Sequence, residues 1–512
     1  MNRYRSPLKP RAHQTKALRR IERPGRYGDV FALLMEMGTG KSKVICDEWG
    51  SRVMSNDLSD LLIIAPAGCY SNWIDDHEES PSEFHKQFDP SLYERSLLVK
   101  WISGGGVHHR ERMDLIVGKS HDRPRAFVVN AEALSRVNKA IEACNTFLDT
   151  SKRGVMVVID ESPLMKGADS IRTEVISEMG KHPKIAAKRI LSGLVTPNSP
   201  MDLYPQFNFL DWRILGFRSF YGFRSRYAIT QNMPVGVWFD KKGNRHERTT
   251  KIIVNYRNVD ELHGKIEPFS FRCLKSECLD LPPKQYVSRD IELTDEQRRI
   301  YKDLKEKAYA QLSKAKFVTT NMVLVQRMRL SQVLCGFTVD DDEKMIQHIP
   351  ERRSQAILEL LSDYRGKAII WTSHDYCVRK LGTLLRKEFG AKCCAQFWGG
   401  NRPMRGEEEL RFKTDPECKY LIATPAAGGR GNNWTVAGLS IYHDNNDNLD
   451  HRLQSEDRNH RDGLQLPGGA GSALYVDLIA RGTIDTKRVK LLRKKIDIAT
   501  QIHGDDYREW LV

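Results

Sequence analysis

The sequence predicts an α/β protein with two lobes, each built on a parallel β-sheet with helices on both faces. Two series of short, continuous apolar runs support this prediction, because strands buried on both faces are apolar throughout rather than alternating. The first series lies in the first 200 residues and the second begins at Lys367. Between about 205 and 285 the series lapses. We therefore expect two tandem lobes with helical and β-hairpin insertions between them.

The first series predicts an N-terminal lobe over residues 1–204. Each apolar run is followed by loop residues and a helical pattern, as in parallel strands joined by crossover helices. The runs are VFALLM (30–35), LLIIAP (61–66), AFVVNA (126–131), VMVVIDE (155–161) and RILSGL (189–194).

The second series predicts a C-terminal lobe over residues 346–482. It is preceded by a linker and helical protrusion (284–345), in which Thr294 to Gln297 match a capping box at the start of an amphipathic helix. A helical, basic strut (483–512) follows it. The runs are KAIIWTS (367–373), KCCAQFWG (392–399), KYLIATP (419–425), LSIYHD (439–444) and ALYVDLIA (473–480).

Residues 205–283 form a predicted insertion attached to the first lobe. Alternation around Lys242-Gly243-Asn244 predicts a β-hairpin. Residues 181–257 contain 14 Lys and Arg against 4 Asp and Glu, a local net charge of +10. Such a segment suits a phosphate backbone, whereas the alternative is a solvated basic face over ordinary aromatic packing. The interleaved arginines are Arg213, Arg218, Arg224 and Arg226, and the aromatic residues are Phe207, Phe209, Trp212, Phe217, Phe220, Tyr221, Phe223 and Tyr227.

Composition limits the classes of protein that the chain can belong to. Its 512 residues suffice for two or three domains, and no apolar run approaches the roughly 18 to 20 residues that span a bilayer. The N-terminus lacks the apolar segment of a secretion signal. We expect a cytoplasmic protein, in the nucleoid or a host cytoplasm, with no membrane role. The formal net charge of +15 points to a polyanionic partner.

The ten cysteines are scattered along the chain. The closest pairs, Cys273/Cys278 and Cys393/Cys394, have no second pair at the spacing of a zinc ribbon. The sequence therefore predicts reduced thiols and no zinc module.

MEMGTGKS (35–42) follows a predicted strand and opens a predicted helix. In that context backbone N–H groups and a lysine hold nucleotide phosphates. Lys41 would reach the β- and γ-phosphates, and Ser42 would bind Mg²⁺. Met35 stands where the strict pattern has glycine, so a merely flexible turn is the alternative. The predicted nucleotide-binding residues here are Met37, Gly38, Thr39, Gly40, Lys41 and Ser42.

An acidic pair ends the apolar run VMVVID at 155–160. Asp160 would hold Mg²⁺, and Glu161 would take a proton from the attacking water. An isolated Asp-Glu pair more often caps a helix. Combined with the lysine loop, the pair instead predicts hydrolysis of ATP or GTP.

Phosphoryl transfer also needs positive charge on the γ-phosphate, often from an arginine finger. QSEDRNHRDG (454–463) offers Arg458 and Arg461, predicted one helical turn apart and facing a cleft between the lobes. The alternative is a surface helix with charge pairs such as Asp457 with Arg461.

Taken in order, these segments resemble the successive motifs of superfamily II helicase-like ATPases, and most closely the Swi/Snf-type double-stranded DNA translocases. The resemblance runs from about residue 7 to about 490, and it implies that both lobes are RecA-like. The segments that carry it are LKPRAHQ, MEMGTGKS, LLIIAPAGCYSNWIDDHEE, VVIDESPLMKG, RILSGLVTPNSPMDLY, GKAIIWTSHD, ATPAAGGRGNNWT, QSEDRNHRDG and LIARGTIDTKRVKLL.

The resemblance assigns roles to residues that the motif chemistry leaves open. Gln14 would read the adenine edge, which makes ATP the nucleotide. Ser192, Gly193 and Thr196 would couple the nucleotide site to DNA. Thr196 and Thr424 join the four arginines as expected DNA contacts. The residues expected to line or complete the second-lobe side of the site are Gly428, Gly431, Asn432, Gln454, Arg458 and Arg461.

Three departures from the family pattern bear on coupling rather than on catalysis. The family's Asp-Glu-Met-Gly is Met35-Glu36-Met37-Gly38 here. Ser162-Pro163 follows the acidic pair where the family often has Ala-His, so the usual hydrogen-bond route to the third motif must run differently. The family's Arg-Ile-Gly-Gln is Arg461-Asp462-Gly463-Leu464-Gln465 here.

The sequence thus predicts a monomeric, Mg²⁺-dependent ATPase motor on double-stranded or branched DNA. Branch migration, fork regression and displacement of DNA-bound proteins are its expected tasks. One alternative is a strand-separating DNA or RNA helicase. Another is a remodeller of a polymerase complex that uses ATP only as a switch. A phosphate-loop kinase or GTPase is disfavoured by the second lobe.

Overall fold

The structure is a computed structural model that describes residues 4–22, 27–76, 81–104, 106–117, 122–165, 167–194, 196, 199–239, 245–314, 320–339, 346–429, 432–466 and 472–503. It divides into two compact units. The first combines residues up to Tyr227 with Asn258–Asp280 and a short part of the C-terminal helix; the second combines Ala228–Arg257 with Leu281–Asp497. The segment 205–283 is thus divided between the units.

The strands of the first unit are β1 (Val30–Met35), β2 (Asp60–Ala65), β3 (Leu97–Lys100), β4 (Arg125–Asn130), β5 (Val155–Asp160), β6 (Ile185–Leu191) and β9 (Ser270–Cys273). The other strands are β7 (Ala228–Phe239), β8 (Arg245–Tyr256), β10 (Lys284–Asp290), β11 (Phe337–Val339), β12 (Ile346–His348), β13 (Lys367–Trp371), β14 (Cys394–Phe397), β15 (Tyr420–Ala423), β16 (Ala437–Tyr442) and β17 (Ala473–Ile479).

The helices up to residue 280 are α1 (Ala12–Ile21), α2 (Lys41–Met54), α3 (Glu83–Gln87), α4 (Pro90–Arg95), α5 (Val107–Val117), α6 (Asn138–Asp149), α7 (Ile171–Met179), α8 (Leu203–Leu215), α9 (Phe220–Tyr227), α10 (Val259–Ile266) and α11 (Lys275–Cys278). Those that follow are α12 (Asp295–Lys314), α13 (Thr320–Leu334), α14 (Arg353–Asp363), α15 (Asp375–Phe389), α16 (Arg405–Thr414), α17 (Pro425–Gly428), α18 (Leu449–Glu456) and α19 (Ile484–His503).

The first unit has a parallel sheet whose order among the described residues is β3-β4-β2-β5-β6-β1-β9. Its strands β1 and β2 are buried along their whole length, which explains their unbroken apolar sequences. Because parallel strands end at the same edge, the loops after β1, β5 and β6 lie side by side. The sheet order therefore brings the predicted phosphate loop, the acidic pair and the third motif together.

The second unit also has a parallel sheet, ordered β10-β17-β16-β13-β15-β14 among the described residues. Both predicted strand series are confirmed, with ends that differ by a few residues. The fold is the predicted α/β arrangement of two lobes.

Three further predictions concern segments outside the two large sheets. Thr294 and Gln297 form the capping box, with Thr294 N donating to Gln297 Oε1 and Gln297 N to Thr294 Oγ1, each at 3.2 Å. Strands β7 and β8 pair antiparallel as a hairpin, whose turn at Lys242-Gly243-Asn244 lies outside the described residues. The predicted strut contains α19 up to His503, and residues 504–512 lie outside the description.

Two of the basic residues within 181–257 have partners inside the first unit. Arg189 on β6 is fully buried, where its guanidinium pairs with Glu48 and with Asp29. Lys188 donates through Nζ to Phe209 O at 3.0 Å and lies over the Phe209 ring. These two cations serve the packing of the first unit, so the exposed positive charge of the segment comes from its other residues.

Candidate active site

The phosphate loop connects β1 to α2, as the sequence predicts. Gly38 and Gly40 have φ values of 82° and 86°, and Gly40 is the N-cap of α2. Glycine adopts such left-handed conformations without the strain that a Cβ causes. At Gly40 there is also no space, because an added Cβ would lie 2.2 Å from Gln14 Nε2. The loop shape therefore depends on glycine here and on α1 beside it.

Lys41 and Thr39 are held within the loop itself. Lys41 Nζ donates to Met35 O at 2.9 Å and to Glu36 O at 3.5 Å. Thr39 Oγ1 donates to Glu36 O at 2.7 Å. The ammonium group of Lys41 thus lies at the phosphate loop, where it would bind a nucleotide phosphate.

Two side chains of α1 reach the same loop. Gln14 Nε2 donates to Thr39 O at 3.1 Å, and Gln14 Oε1 accepts from Arg11 N at 2.8 Å. His13 Nε2 also bonds Thr39 O, at 2.8 Å. Both residues are buried. Gln14 therefore lies at the phosphate loop, while its role toward adenine stays a prediction.

The acidic pair lies at the end of β5. Asp160 Oδ1 accepts from the backbone N–H of Glu161 at 3.0 Å. Glu161 has a φ of 50°, in the left-handed region that non-glycine residues rarely adopt. Such strained positions are concentrated at functional sites. The left-handed backbone at Glu161 thus orients its side chain differently from that of a residue in a regular strand or helix.

Sequence reasoning missed two residues at this site. Trp73 is buried, and its indole Nε1 donates to Asp160 Oδ2 at 3.0 Å. Glu83, the first residue of α3, hydrogen-bonds with the Ser42 side chain. Trp73 lies within the segment LLIIAPAGCYSNWIDDHEE, which was assigned no role at the site, and Glu83 lies outside every segment that carries the resemblance. Only the fold brings them to the ends of β5 and α2.

The donor set fits Mg²⁺. Ser42, Glu83 and Asp160 offer hydroxyl and carboxylate oxygens, the ligands that Mg²⁺ prefers. Burial raises the pKa of Glu83, and the nearby Asp160 carboxylate raises it further, against opposing effects that include its hydrogen bond with Ser42. A divalent cation would relieve that repulsion between carboxylates.

Replacing Trp73 with phenylalanine is expected to raise the Mg²⁺ concentration for half-maximal ATPase activity by about 10- to 100-fold. The reason is that hydrogen bonds to a metal-binding carboxylate orient it, and their loss typically weakens metal affinity by that factor. Titrating Mg²⁺ at saturating ATP measures the effect. Trp49→Phe is the matched control, since Trp49 lies in the same core and its Nε1 has no hydrogen-bond partner among the described residues. Equal shifts in both variants would contradict the prediction.

The third motif packs directly on the phosphate loop. Ser192 N donates to Leu33 O at 3.1 Å. A Cβ added at Gly193 would lie 3.3 Å from Met37 N. Arg272 on β9 braces the contact by donating through Nη1 to Leu34 O and Gly193 O. Thr196 is buried. Movement of the phosphate loop would therefore displace the third motif.

Ser162 begins a chain of hydrogen bonds that leads away from the acidic pair. Its hydroxyl donates to Gln206 Oε1 at 2.6 Å, and Gln206 Nε2 donates to Asp202 O at 2.6 Å. Both Ser162 and Gln206 are fully buried. The chain of hydrogen bonds links the residue after Glu161 to α8, which follows the third motif.

The four predicted DNA-contacting arginines fall into two classes. Arg213 is paired with Asp211 and Arg226 with Glu261. Arg213 also lies over the partly buried Tyr27 ring, 4.8 Å from its centroid. Arg218 and Arg224 lie over rings at the surface, 4.5 Å from the Trp212 centroid and 5.4 Å from the Tyr221 centroid. Trp212 and Tyr221 are exposed. The second class presents charge together with an exposed aromatic ring.

In the second unit, the loop after β15 forms a tight turn. Thr424 is buried and is the N-cap of α17. A Cβ at Gly428 would lie 2.5 Å from the Trp434 ring. Asn432 Nδ2 donates to Gly428 O at 3.3 Å. Gly431 lies outside the described residues.

The prediction that Arg458 and Arg461 share a helical face is wrong. Helix α18 ends at Glu456, and both arginines lie in the turns that follow. The chain leaves the helix because the carbonyl of Arg458 accepts from Trp434 N and because Asn459 is anchored to Ala437 O. Gln454, at the end of α18, is buried and donates to Asp450 Oδ1 at 2.7 Å.

The two arginines also differ in environment. Arg458 is 1% exposed and donates to Gln454 O at 2.8 Å and Asn432 O at 2.9 Å. Arg461 is partly exposed, with its Nε donating to Asp457 O at 2.7 Å. Arg458 thus braces the loop that contains Asn432, whereas Arg461 lies nearer the surface of its unit.

The comparisons with known proteins concern the family of the chain. A model of the SNF2-related domain matches residues 30–338, more than half of the chain. The TATA-binding protein-associated factor mot1 of Aspergillus fumigatus is 25% identical over 389 residues, 67% of this chain and 20% of that protein. The chain thus spans about a fifth of the length of the mot1 proteins that it matches.

Two further similarities concern a bacterial protein and a solved structure. The putative ATP-dependent helicase/translocase YwqA of Bacillus subtilis is 25% identical over 357 residues, 68% of this chain and 35% of that protein. The Sulfolobus solfataricus SWI2/SNF2 ATPase core in complex with dsDNA aligns at a TM-score of 0.41 and 21% identity, covering 98% of this chain and 96% of that one. Within the described residues, no helix has both the length and the apolar character to cross a membrane. On the match over residues 30–338, the chain belongs to the SNF2-related domain family of ATP-hydrolysing enzymes.

Proposed function

We propose that this chain is an ATP-dependent translocase on double-stranded DNA. The observation that carries the proposal is the buried link from Ser162 through Gln206 to α8. One end of this link adjoins the catalytic pair, and the other adjoins the segment that leads to the exposed arginines. A hydrogen-bond chain of this kind can transmit the state of the nucleotide site to a surface that contacts DNA.

The chemistry of the first unit is assigned as follows. Lys41 and the loop N–H groups bind the phosphates, and Glu161 accepts the proton of the attacking water. Ser42 and Asp160 would hold Mg²⁺, with Glu83 beside them. When bound, Mg²⁺ supplies positive charge that offsets the charge developing on the phosphate oxygens. Trp73 keeps the Asp160 carboxylate oriented for this task.

By the family resemblance, an arginine of the second unit would supply the positive charge on the γ-phosphate. We assign this role to Arg461, because Arg458 is buried with its guanidinium on Gln454 O and Asn432 O. Arg458 then fixes the shape of the loop around Asn432. Alternating engagement and release of Arg461 during the ATP cycle would drive movement along DNA.

The DNA-contacting surface is assigned chiefly to Arg218 and Arg224. Their stacking on Trp212 and Tyr221 leaves the guanidinium N–H groups able to bind phosphate oxygens. Arg213 and Arg226 are partly neutralised by Asp211 and Glu261. They are expected to contribute less to binding.

Steady-state ATPase measurements test the proposal. The rates are compared without nucleic acid and with single-stranded DNA, duplexes of several lengths, a four-way junction and RNA. A translocase is expected to show stimulation that rises with duplex length and then reaches a plateau. Stimulation by duplexes that does not depend on length would indicate an ATP switch, and stimulation only by single strands or RNA would indicate a helicase. A preference for the four-way junction would support branch migration or fork regression as the task.

Replacing Arg218 and Arg224 together with glutamine is expected to weaken duplex binding uniformly across DNA sequences. The slope of log affinity against log salt should fall by about one for each phosphate contact that is lost. Fluorescence anisotropy at several salt concentrations measures both quantities. Arg213→Gln is the matched comparison, because its charge is already paired with Asp211, and it should change the slope less. An unchanged slope in the double variant would instead favour the alternative, in which the segment is only a solvated basic face.

A further inference from the structure

Three potential metal ligands meet beside the phosphate loop. His13 is on α1, Cys273 ends β9 and Cys278 ends α11. One ligand atom from each residue lies within 4.8 Å of the other two. A tetrahedral Zn²⁺ with Zn–S of about 2.3 Å and Zn–N of about 2.0 Å needs separations of roughly 3.5 to 3.8 Å. Closing the three side chains by about 1 Å would meet that geometry.

The tautomer of His13 suits a metal. Its Nε2 bonds the carbonyl oxygen of Thr39 at 2.8 Å, and because a carbonyl only accepts, this nitrogen carries the proton. The lone pair of the neutral ring is therefore on Nδ1. Metal-binding histidines almost always donate their other N–H to a carbonyl or carboxylate in this way.

The two thiols share one weak acceptor. Cys278 Sγ donates to Leu274 O at 3.0 Å and Cys273 Sγ to the same oxygen at 3.6 Å. All ten cysteines are free thiols. Two thiols and an imidazole form a soft ligand set that favours Zn²⁺ over Mg²⁺. Cys278 is partly exposed while Cys273 and His13 are buried, so a metal could enter from the Cys278 side.

We propose that His13, Cys273 and Cys278 form a Zn²⁺ site, with water as the fourth ligand. Binding releases the two thiol protons to solvent, so that one Zn²⁺ and two thiolates leave the site neutral. The site adjoins the phosphate loop at two points: Thr39 O bonds His13, and Glu36 N donates to Cys273 O at 3.0 Å. Zinc would therefore fasten α1 and β9 to the loop. The proposal goes beyond the proposed function and does not depend on whether DNA is the track.

A second group, Cys335, Cys377 and His443 in the second unit, provides the competing assignment. All three of its residues are buried, and His443 Nδ1 is already bonded to Asp444 Oδ1 at 3.1 Å. The other ring nitrogen of His443 is its ligand atom, so the group differs from the first in lacking a partly exposed thiol through which a metal could enter. It supplies the matched control.

The test measures zinc content in the full chain purified without chelators, together with its spectrum after substitution by Co²⁺. One equivalent of Zn²⁺ and a thiolate-to-cobalt charge-transfer band are expected. Cys278→Ser and His13→Asn should each reduce Zn²⁺ affinity by at least about 10-fold, whereas Cys377→Ser should retain it. Loss in Cys377→Ser with retention in Cys278→Ser would overturn the proposal, as would the absence of zinc.

A measurement on the unaltered chain covers the case in which a variant fails to fold. Alkylation of Cys278, located by mass spectrometry, should be slowed by added Zn²⁺ and not by added Mg²⁺. Equal alkylation with either ion would overturn the site. A disulfide between Cys273 and Cys278 in the zinc-treated, reduced protein would overturn it as well.

Discussion

Glu161→Gln is expected to lower kcat for ATP by about 10²- to 10⁴-fold while ATP still binds. The amide keeps the size of the side chain but cannot accept the proton of the attacking water, and general-base catalysis is typically worth that factor. Binding should persist because Lys41 and the phosphate loop are unchanged. Steady-state turnover gives kcat, and a fluorescent ATP analogue in an equilibrium titration gives the dissociation constant.

The control for Glu161→Gln is the same change on a carboxylate away from the site. Glu178 on α7 pairs with Lys181 at the surface, so Glu178→Gln should keep the kcat of the unaltered protein. Near-normal turnover in Glu161→Gln would show that another group accepts the proton. Glu83 would then be the first candidate, because it also lies beside Ser42 and Asp160.

Arg461→Ala is expected to lower kcat by about 10³-fold or more with ATP binding largely kept. An arginine that neutralises charge in the transition state contributes to the rate more than to ground-state binding, and such fingers are worth about 10³- to 10⁵-fold. Because Arg461 is only partly buried, its removal is expected to leave the second unit folded. Single-turnover hydrolysis and ATP titration separate the two effects.

Arg458→Ala distinguishes catalysis from structure. Its removal leaves the buried carbonyl of Gln454 and the partly buried carbonyl of Asn432 without this donor, which is expected to lower the free energy of unfolding by about 1–3 kcal/mol. The unfolding midpoint should therefore fall in Arg458→Ala and stay nearly constant in Arg461→Ala. An unchanged kcat in Arg461→Ala would indicate that the arginines after α18 only form charge pairs at the surface, which is the alternative stated above.

The strands and the phosphate loop could be predicted because their sequence patterns are local. A fully buried strand needs an unbroken apolar run, and β1 and β2 show it directly. The left-handed glycines at 38 and 40 are required by the turn between β1 and α2. The short strand β9 was missed because it joins the sheet only through its pairing with β1, far away in the chain.

The contacts around Asp160 could not be predicted, because they join residues distant in sequence. Trp73 is 87 residues from Asp160 in the chain, and tryptophan in a core usually has no chemical role. The position of His13 beside Cys273 and Cys278 could not be predicted either. The sequence spacing shows two nearby cysteines but no further metal ligand. Only the fold adds the histidine.

The prediction that Arg458 and Arg461 share a helical face was wrong for a different reason. Their spacing of three residues fits a helix, and nothing in the local sequence breaks it. The break comes from contacts with the start of β16 and the loop before it, because Trp434 N donates to Arg458 O and Asn459 Nδ2 donates to Ala437 O. Tertiary hydrogen bonds thus override a valid local periodicity.

The backbone of Glu161 sets stability against activity at a single residue. At a φ of 50°, a side chain other than glycine or asparagine costs about 1 kcal/mol or more. Asparagine would tolerate the turn better but could not act as a base. A library randomised at this position and selected for thermal stability alone should therefore enrich inactive proteins, while selection for turnover should retain the strained glutamate. The opposing outcomes would reveal a residue kept for its chemistry at the expense of the fold.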